Sequence, residues 1–462
     1  MTDLSIIEQL PEIIRNGEKT FEDIIKRPYA ENFTQEELVI PEGQVKKPIN
    51  QFYQGDNILV MERLLKSGLK GKIDLIYIDP PFMTKTNQEG RIVINDGQKD
   101  HVIEQVAYRD NWEGGLISYL NMLCPRIYLM KELLSEQGSL YIHLDYRTVH
   151  YVKVILDCIF GQENFLNEII WAYKSGGVSK RYYSRKHDTI LVYTKTKDYI
   201  FNPQKEKSYN RDFKPYRFKG VKEYQDELGW YTLVNLKDVW QIDMVGRTSR
   251  ERVGYATQKP EKLLERIILT SSNENSIVAD FFAGSGTTGV VAENLNRSWI
   301  MADNSKLSGV TITKRLMGKG STFNIYKTTS KIKDGGRLKL KIQSIEKVEG
   351  IYDISIELDR YDIGLESMDI KKKYIPKLKD IIDKNSLALI DLIALDLDYD
   401  GEKAKLSRHF VRNSSIDSKL SIRDIKLREG QKIYFKYVDV FGKENYNMYQ
   451  INKGKVILCQ EY

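Results

Sequence analysis

The sequence predicts an α/β protein with a doubly wound parallel sheet, an inserted segment and a β-rich C-terminal domain. Three patterns support this prediction. Strand-like and helix-like stretches alternate between Gln51 and Gly161, two short apolar runs end directly in motifs suited to ligand binding, and apolar and charged residues alternate after position 330. The first pattern is typical of a doubly wound sheet, and the last is typical of strands with one buried face. A chain of 462 residues is long enough for about three domains.

The N-terminal segment, residues 1–45, is predicted to be a helical arm. Its apolar residues recur at the spacing of one helix face, at Leu4, Ile7, Leu10, Ile13 and Ile14. Residues 46–163 are predicted to form the first half of the main sheet, because strand-like and helix-like runs alternate there.

An apolar run at residues 73–78, predicted to be a buried parallel strand, ends in Asp79-Pro80-Pro81-Phe82. Open α/β sheets bind ligands at the carboxyl ends of their strands. The two prolines lack N–H groups and have a fixed φ, which leaves rigid carbonyls that can only accept hydrogen bonds. A carboxylate, such carbonyls and an aromatic ring suit a planar, amino-bearing base that has been turned out of a helix. The alternative is an ordinary strand followed by a Pro-Pro turn.

Residues 83–110 follow this motif and are rich in Lys, Asn, Gln, Gly and Asp, with one short apolar patch at residues 92–94. Long loops in compact domains are usually functional lids or disordered. Because this segment begins directly after the candidate catalytic residues, we expect a loop that covers DNA or the base.

The segment 164–254 interrupts the sheet between the two motifs and is unusually basic. From Trp171 to Gly220 it has 13 Lys and Arg against 4 Asp and Glu, a local charge of +9, together with 11 aromatic residues. Basic residues interleaved with rings fit phosphate contact and base stacking, although a solvated basic face over a small aromatic core is the alternative. The candidate DNA-binding residues are Lys174, Lys180, Arg181, Arg185 and Lys186.

The second motif, from Ser276 to Gly289, is predicted to be a short strand, a glycine-rich turn and the start of a helix. Glycines let the backbone approach a ligand closely, and a helix N-terminus offers unpaired N–H groups. Gly284, Gly286 and Gly289 spell G-x-G-x-x-G, the fingerprint of dinucleotide binding. Asp303 ends the next predicted strand and can accept hydrogen bonds from the ribose of either kind of nucleoside-containing cofactor. A nicotinamide-dependent oxidoreductase is therefore one candidate.

Residues 330–462 are predicted to form a separate β-rich domain, since apolar and charged residues alternate over 338–342 and 354–358. Asp396-Leu397-Asp398-Tyr399-Asp400-Gly401 begins like a calcium loop. Position twelve of such a loop is a bidentate Glu, whereas here it is Ser407. We therefore expect an acidic turn between strands and no metal site.

The composition favours a cytoplasmic protein. Cys124, Cys158 and Cys459 lack the spacing of a metal or redox motif, which suits a reducing compartment. The chain has no run of 18 apolar residues and its N-terminus lacks the pattern of a signal peptide, so no membrane association is expected. The net charge of +7 is modest, and the basic segment exceeds it.

The Asp79–Phe82 motif and the turn Phe282-Ala283-Gly284-Ser285-Gly286 together resemble the two motifs of the DNA amino-methyltransferases that use S-adenosylmethionine. Asp-Pro-Pro-aromatic is the catalytic motif of that family, and Phe-x-Gly-x-Gly is its cofactor motif. The catalytic motif comes first here, as in the permuted β group, which includes modification subunits of type III restriction systems and many solitary adenine methyltransferases. Further matches occur in the family's order between about Asn50 and Leu316: Gly55–Asn57, Tyr108–Trp112, Tyr141–Asp145 and Thr257–Pro260.

The resemblance implies a Rossmann-like methyltransferase sheet with S-adenosylmethionine as cofactor. It implies that residues 164–254 are a target-recognition insertion and that residues 255–325 are the cofactor-binding half. The cofactor residues carried over by the resemblance are Asp56, Lys259, Asp280, Phe281, Phe282, Ala283, Gly284, Gly286, Thr287 and Asp303.

The resemblance also implies a reaction. Asp79 and the Pro80 carbonyl would accept hydrogen bonds from the amino group of a flipped base, and Phe82 would stack on it, a contact worth ~1–3 kcal/mol. The family more often has Tyr at the position of Phe82. Members with Asp at the first position mostly act on adenine N6, whereas Ser is commoner for cytosine N4. We therefore expect adenine N6 in double-stranded DNA, with cytosine N4 as the alternative.

The partners expected from this resemblance are double-stranded DNA, a second copy of the chain and a restriction subunit. The rival to an independent enzyme is a DNA-recognition subunit that depends on a partner nuclease or helicase. Nothing in the sequence resembles a nuclease or helicase motif, so the chain itself is not expected to cut DNA.

Overall fold

The computed structural model describes residues 5–42, 50–328, 335–365, 368, 370–412 and 416–461. Within them the chain forms eight α-helices, α1 (Ile6–Lys26), α2 (Asn57–Leu64), α3 (Gly115–Leu133), α4 (Val149–Phe160), α5 (Glu261–Ser271), α6 (Thr287–Asn294), α7 (Lys306–Gly318) and α8 (Ile375–Asn385).

The strands alternate with these helices in the first three quarters of the chain and dominate the last quarter. Those before residue 330 are β1 (Phe33–Val39), β2 (Gln51–Gln54), β3 (Ile73–Ile78), β4 (Gln88–Asn95), β5 (Asp100–Tyr108), β6 (Leu134–Leu144), β7 (Phe165–Ala172), β8 (His187–Thr194), β9 (Lys205–Tyr209), β10 (Glu223–Asp226), β11 (Gly229–Asn235), β12 (Val239–Gln241), β13 (Ile277–Asp280), β14 (Ser298–Asp303) and β15 (Phe323–Thr328). Those after it are β16 (Arg337–Val348), β17 (Ile351–Asp362), β18 (Ile390–Asp396), β19 (Ala404–Leu406), β20 (Arg408–Val411), β21 (Lys419–Lys426), β22 (Lys432–Asp439), β23 (Glu444–Asn452) and β24 (Lys455–Glu461).

A mixed sheet of eleven strands forms the centre of the fold, in the order β12-β7-β8-β6-β3-β13-β14-β2-β15-β1-β19. The six neighbours from β6 to β15 run parallel. Helices cover both faces, which is why the parallel strands are apolar almost throughout; β3 has the burial pattern of a strand covered on both sides. The prediction of a doubly wound α/β fold is confirmed.

Two apolar cores lie on the two faces of this sheet, and alternate residues of each strand enter different cores. In β3, Leu75 and Tyr77 pack with residues of α5 to α7, whereas Ile76 and Ile78 pack with residues of α1 to α4. This period of two is the pleat of the strand. The sheet is thereby held rigid beneath its carboxyl edge, where the candidate site lies.

The basic insertion is less separate than the sequence suggested. Strands β7, β8 and β12, all inside residues 164–254, extend the central sheet through the antiparallel pairing of β8 with β6. Only β9, β10 and β11 form a small sheet of their own. The buried rings of Trp171 and Tyr193 explain the difference, because they give these strands apolar faces that must be covered.

Residues 83–110 are not the covering loop that we expected. Most of them form an antiparallel hairpin, β4–β5, with Ile94 and Ile103 buried. The hairpin packs on the C-terminal part of the chain: Tyr374 Oη donates to Glu104 at 2.6 Å, and Arg412 Nη1 donates to the carbonyl of Val93 at 2.9 Å. Its polar composition follows from one face that is more exposed than the other, because buried residues alternate with more exposed ones along both strands.

The segment after residue 335 forms two further antiparallel sheets, β16-β17-β21 and β20-β18-β22-β23-β24. This segment is joined to the N-terminal part of the chain in two ways. Strand β19 pairs in parallel with β1 at the edge of the central sheet, and the buried Lys436 ammonium binds both carboxylate oxygens of the buried Glu37 at 2.6 and 2.7 Å. The expected boundary near residue 330 is therefore crossed by sheet pairing and by a buried ion pair.

The acidic run 396–401 is a turn between β18 and β19. Asp396 accepts hydrogen bonds from the backbone N–H groups of Asp398 and Lys405. Asp400 accepts from those of Glu402 and Lys403. These carboxylates are used to hold the turn itself.

None of the helices in the described parts of the chain has the length and apolar character needed to cross a membrane.

Candidate active site

The two sequence motifs meet because their strands are neighbours. Strand β13 pairs in parallel with β3, with Val278 opposite Leu75 and Ala279 opposite Ile76. Their carboxyl ends therefore point to the same edge, where β3 is followed by Asp79 and β13 ends at Asp280. The loops after β2 and β14 reach the same edge, which is where open α/β sheets bind ligands.

The two carboxylate oxygens of Asp79 differ in their surroundings. Asp79 Oδ2 is ion-paired with Lys259 Nζ, whereas the buried Asp79 Oδ1 has no hydrogen-bond partner among the described residues. Nδ1 of His143 lies 3.9 Å from Oδ1, beyond hydrogen-bond distance. A buried acceptor without a donor is unfavourable unless something else supplies one, so this oxygen marks a position for a ligand's N–H group.

The ring of Phe82 lies beside the same carboxylate. Its centroid is 5.4 Å from the centroid of His143 and 5.2 Å from Lys259 Nζ. Pro80 is buried and Pro81 faces the cavity, so the double proline directs the backbone of this loop away from the strand.

Asp110 fixes the loop that follows Phe82. This fully buried carboxylate accepts hydrogen bonds from the backbone N–H groups of Met83 and Thr84, at 2.9 and 2.8 Å, and from Trp112 Nε1 at 3.1 Å. Met83 has a φ of 59°, which only such local bonding makes tolerable for a non-glycine residue. Tyr108–Trp112 was recognisable as a match to the family, but this task of Asp110 was not evident from the sequence.

His143, at the end of β6, packs against the loop Asp79–Phe82. It is fully buried; its Nδ1 lies 3.0 Å from Tyr77 Oη, and its Nε2 lies 3.3 Å from Asp188 Oδ2. Its ring also contacts Trp171, with centroids 5.3 Å apart.

The glycine turn after β13 adopts conformations that a side chain would disturb. Gly284 has a φ of 52°, and its N–H donates to Asp303 Oδ2 at 2.8 Å. Gly286 has a φ of 76°, and a Cβ there would lie 2.7 Å from Cγ1 of Ile312. Both glycines are therefore required by the turn, and Asp303 at the end of β14 holds it from the neighbouring strand.

Burial raises the pKa of two carboxyl groups in this region. The pKa of Asp280 rises to about 7, although hydrogen bonds from Thr288 Oγ1 and from the N–H of Phe282 act in the opposite direction. The pKa of Asp303 rises to about 6 for the same reason, against the N–H groups of Ser305 and Gly284. Carboxyl groups with such values in a cleft are common at functional sites.

These elements enclose a cavity of about 440 Å³, within the usual range for ligand sites. Most of the predicted site residues line it: Asp79, Pro81, Asp56, Lys259, Asp280, Phe281, Phe282, Ala283, Gly284, Thr287 and Asp303. Pro80, Phe82 and Gly286 lie behind or beside this lining.

Asp56 caps helix α2 and is held at the rim. Its Oδ1 accepts from the N–H of Ile58 at 2.8 Å and from Arg126 Nη2 at 3.3 Å. The neighbouring Asn57 donates to the carbonyl of Phe281 at 2.8 Å and accepts from Arg126 Nε. Arg126 and Asn57 thus connect α3, α2 and the glycine turn, and no sequence pattern pointed to Arg126.

Tyr108 and Tyr255 are further wall residues. Both are largely buried, and burial raises the pKa of each hydroxyl above its ordinary value. The Tyr108 hydroxyl lies 3.2 Å from Thr257 Oγ1, which connects the hairpin to the segment before α5. Tyr108 was part of a matched run, whereas no pattern pointed to Tyr255.

The predicted DNA-binding residues lie in the loop between β7 and β8, at the carboxyl edge of the sheet. Lys180 and Arg181 are exposed. Arg185 instead stacks between Tyr146 and Tyr182, at 3.9 and 4.6 Å from their ring centroids, and Lys186 Nζ donates to the carbonyls of Ser175 and Gly176. The side chain of Lys174 is exposed, while its backbone N–H donates to Asp243. Arg185 and Lys186 therefore brace the loop as well as carrying charge.

The sequence profile of the DNA methylase family matches residues 73–308, from strand β3 to helix α7 after Asp303. The chain belongs to the DNA methylase family. Membership decides between the two cofactor types considered for the glycine turn: this methylase uses S-adenosylmethionine and not a nicotinamide.

Among its relatives, the type II methyltransferase M2.LlaDCHI of Lactococcus lactis subsp. cremoris is 29% identical over 290 residues, which cover 59% of this chain and 94% of the relative. The DNA adenine methyltransferase YhdJ of Escherichia coli (strain K12) is 30% identical over 235 residues, 49% of this chain and 70% of the relative. Among solved structures, the crystal structure of the M1.HpyAVI–SAM complex is similar over 58% of this chain and 99% of the M1.HpyAVI chain, with 22% sequence identity and a TM-score of 0.39.

The residues of the cavity fit S-adenosylmethionine. The backbone of Gly284 borders the cavity, where a Cβ would lie 3.4 Å from the ring of Tyr255, and Asp303 lines the same cavity as a hydrogen-bond acceptor. Four aspartates line the cavity, Asp56, Asp79, Asp280 and Asp303. Asp56 and Asp79 are ion-paired with Arg126 and Lys259, whereas within the described residues Asp280 and Asp303 accept only neutral hydrogen-bond donors, which suits a cofactor that carries positive charge.

Proposed function

We propose that this methylase transfers a methyl group to N6 of an adenine that has been flipped out of double-stranded DNA. The observation that carries the proposal is the unpartnered, buried Oδ1 of Asp79 at the rim of the cofactor cavity, next to the ring of Phe82. An exocyclic amino group would supply the missing donor, and the ring would supply the stacking surface.

Asp79 and the Pro80 carbonyl would activate the nitrogen by accepting its two hydrogens. The lone pair of the amino group is delocalised into the base, which makes the nitrogen a poor nucleophile. Two acceptors draw it towards tetrahedral geometry and concentrate the lone pair. Phe82 stacking contributes ~1–3 kcal/mol, which helps to offset the few kcal/mol of unstacking. The proton leaves after transfer, so no strong general base is needed.

The glycine turn and Asp303 would hold the cofactor. Bound S-adenosylmethionine supplies an electrophilic methyl group on a positively charged sulfur. Phe281, Phe282 and Gly284 would border its methionine end and Asp303 its ribose, while Asp56 and Thr287 line the same cavity. Asp280 lines the cavity as well, and because it accepts hydrogen bonds from Thr288 Oγ1 and from the N–H of Phe282, its role would be to shape the turn.

The β7–β8 loop and the small sheet β9–β11 would bind and select the DNA site. The loop begins at the carboxyl end of β7, on the same edge of the sheet as Asp79, and residues 171–220, which include it and β9, carry a local charge of +9; both observations support this proposal. Lys174, Lys180 and Arg181 would contact phosphates, which adds affinity that depends on salt. Arg185 and Lys186 would mainly keep the loop in shape.

Transfer of label from methyl-labelled S-adenosylmethionine to DNA, followed by nucleoside analysis, tests the proposal. We expect the label in N6-methyladenine. Label in N4-methylcytosine would support the alternative base, and absence of label from DNA while cofactor binds would contradict the proposed substrate. Sequencing of modified bases in DNA from expressing cells would add the recognition site. A homodimer, a restriction subunit and a cytoplasmic location stay predictions.

A further inference from the structure

Lys259 is bound to the carboxylate that the proposed reaction needs for the target base. Its Nζ is ion-paired with Asp79 Oδ2 and lies 5.2 Å from the centre of the Phe82 ring. The residue is buried and lines the cofactor cavity. One of the two oxygens of the proposed catalytic carboxylate is therefore bound to an ammonium group rather than available to a base.

The pair makes physical sense in the protein without ligands. A buried carboxylate with neither a cation nor a hydrogen-bond donor would be strongly unfavourable. Lys259 gives Asp79 that cation, and His143 Nδ1 is 3.9 Å from the other oxygen. The lysine thus stabilises Asp79 while the site is empty of base.

The same pair conflicts with the loaded enzyme. The sulfonium of the methyl donor must lie within the same cavity, close to the amino group that Asp79 orients. Two positive groups would then share one carboxylate in a partly buried place, where their repulsion is much stronger than in water. An ammonium on a flexible four-carbon side chain can move away, whereas the sulfonium is held by the rest of the cofactor.

Lys259 has the local structure for such a movement. Its backbone carbonyl is fixed by Thr287 Oγ1 at 3.3 Å, so the main chain stays in place. The carbonyl of Thr257 lies 3.5 Å from Nζ, which gives the ammonium a second acceptor close to its present position.

We propose that Lys259 is a positioning residue that holds Asp79 until the positively charged methyl donor binds, and then releases it to the target amino group. This inference rests on the proposed function, because it assumes that Asp79 binds the amino group. Its consequence is an order of binding, because Asp79 is fully available to a base only when the methyl donor is already bound.

The charge at sulfur provides the test. S-adenosylmethionine and S-adenosylhomocysteine differ by one methyl group and one positive charge, so the ratio of their dissociation constants reports the local field. In Lys259→Met the competing ammonium is gone. We expect the preference for S-adenosylmethionine over S-adenosylhomocysteine to increase at least about tenfold, with the affinity for the neutral product little changed. Calorimetry without DNA measures both constants.

Lys262→Met is the matched control, because Lys262 lies at the start of the same helix, α5, and is exposed. It should leave the ratio unchanged. An unchanged ratio in Lys259→Met would overturn the proposal. Loss of S-adenosylhomocysteine binding in Lys259→Met would also overturn the proposal, because Lys259 would then be needed to keep the cavity in shape.

A second measurement uses the unmodified protein. Sinefungin carries an ammonium where S-adenosylmethionine has its sulfonium. If Lys259 is displaced by charge, acylation of its side chain, followed by mass spectrometry, should be faster with sinefungin than with S-adenosylhomocysteine. Equal rates would contradict the proposal. A changed cofactor ratio in Lys259→Met, together with no methylation of DNA by the unmodified protein, would count against the proposed function and not against this role of Lys259.

Discussion

At the scale of single residues, the site contains two buried carboxyl groups, Asp280 and Asp303, whose pKa values are raised. Burial raises the pKa of Asp280 to about 7 and that of Asp303 to about 6, both from an ordinary value of 3.8. Because the folded values are the higher ones, the protein gains stability from these groups at low pH and loses it as the pH rises through them. Near neutral pH the site therefore holds more negative charge than is optimal for folding, which favours binding of a cation.

The raised pKa of Asp303 predicts a pH-dependent affinity for the cofactor. Ribose hydroxyls donate to the ionised carboxylate, so the dissociation constant of S-adenosylhomocysteine should be constant above pH 7 and increase by up to about tenfold per pH unit below pH 6. Calorimetry between pH 5 and 8 measures it. Asp303→Asn should bind more weakly and lose this dependence; any dependence left in that variant belongs to Asp280.

The two motifs should have separable roles. Asp79→Ala removes an acceptor from the base pocket but leaves the glycine turn intact. We expect methylation below detection, with cofactor affinity retained within about an order of magnitude, ~1.4 kcal/mol, because Asp79 is proposed to bind the base and not the cofactor. Equal loss of cofactor binding and methylation would contradict this division.

Gly286→Val should lose cofactor binding first, because the new Cβ would lie 2.7 Å from Ile312 at a φ of 76°. Gly318→Val is the control, since a Cβ at Gly318 meets nothing within 4 Å. Binding of S-adenosylhomocysteine distinguishes the two variants. Normal binding in Gly286→Val would show that the turn tolerates a side chain.

At the scale of elements, the β7–β8 loop combines a braced base with exposed charges. The stacking of Arg185 between Tyr146 and Tyr182 and the bonds of Lys186 to two carbonyls hold the loop in shape. Lys180, Arg181 and the fully exposed Tyr183 are presented to solvent by it. The basic run therefore contains two kinds of residues, which sequence alone did not separate.

This division predicts different behaviour for the two basic pairs. Lys180→Ala with Arg181→Ala should weaken binding to all DNA sequences and reduce the salt slope by up to ~0.9 for each phosphate that is no longer neutralised. Arg185→Ala with Lys186→Ala should also loosen the loop, seen as faster hydrogen exchange at residues 173–186. Lys19→Ala, on the exposed side of α1, is the control. Unchanged affinity and slope in the first pair would mean that these charges form a solvated face.

Sequence predicted the elements that local patterns determine. The strand before Asp79, the glycine turn and the carboxylate at Asp303 were all recognisable from short runs, and their meeting at one edge followed from parallel pairing. The β4–β5 hairpin was missed because its polar face and its contacts with Tyr374 and Arg412 depend on a segment far away in the chain. Arg126, Tyr255 and the pairing of Lys259 with Asp79 were missed for the same reason.

At the scale of the whole molecule, the N-terminal and C-terminal parts share a buried ion pair. Lys436 lies between Glu37 and Glu444, and the two carboxylates raise the pKa of Lys436 above its ordinary value despite burial. Such pairs add little compared with apolar residues, but removing one partner leaves an uncompensated buried charge. The connection between the two parts is therefore sensitive to single changes.

Lys436→Met should lower the free energy of unfolding by ~3–5 kcal/mol, because Glu37 would remain buried without its cation. Combining it with Glu37→Leu should recover part of the loss. Urea denaturation at neutral pH measures both, with Lys432→Met on the exposed side of the same strand as control. A single variant as stable as the control would mean that water replaces the ammonium.

The pairing of β1 has a consequence for how the protein is made. Phe33 pairs with Thr328 and Glu37 with Ala404, so a strand synthesised near the beginning waits for partners near the end. At 5–20 residues per second, the ribosome takes roughly 20–70 s between Glu37 and Ala404. Every residue proposed for the chemistry has been made before then. The last of them, Asp303, precedes Ala404 by 101 residues, so for roughly 5–20 s a nascent chain with a complete set of site residues still has an open sheet edge at β1, where a chaperone or a protease can bind.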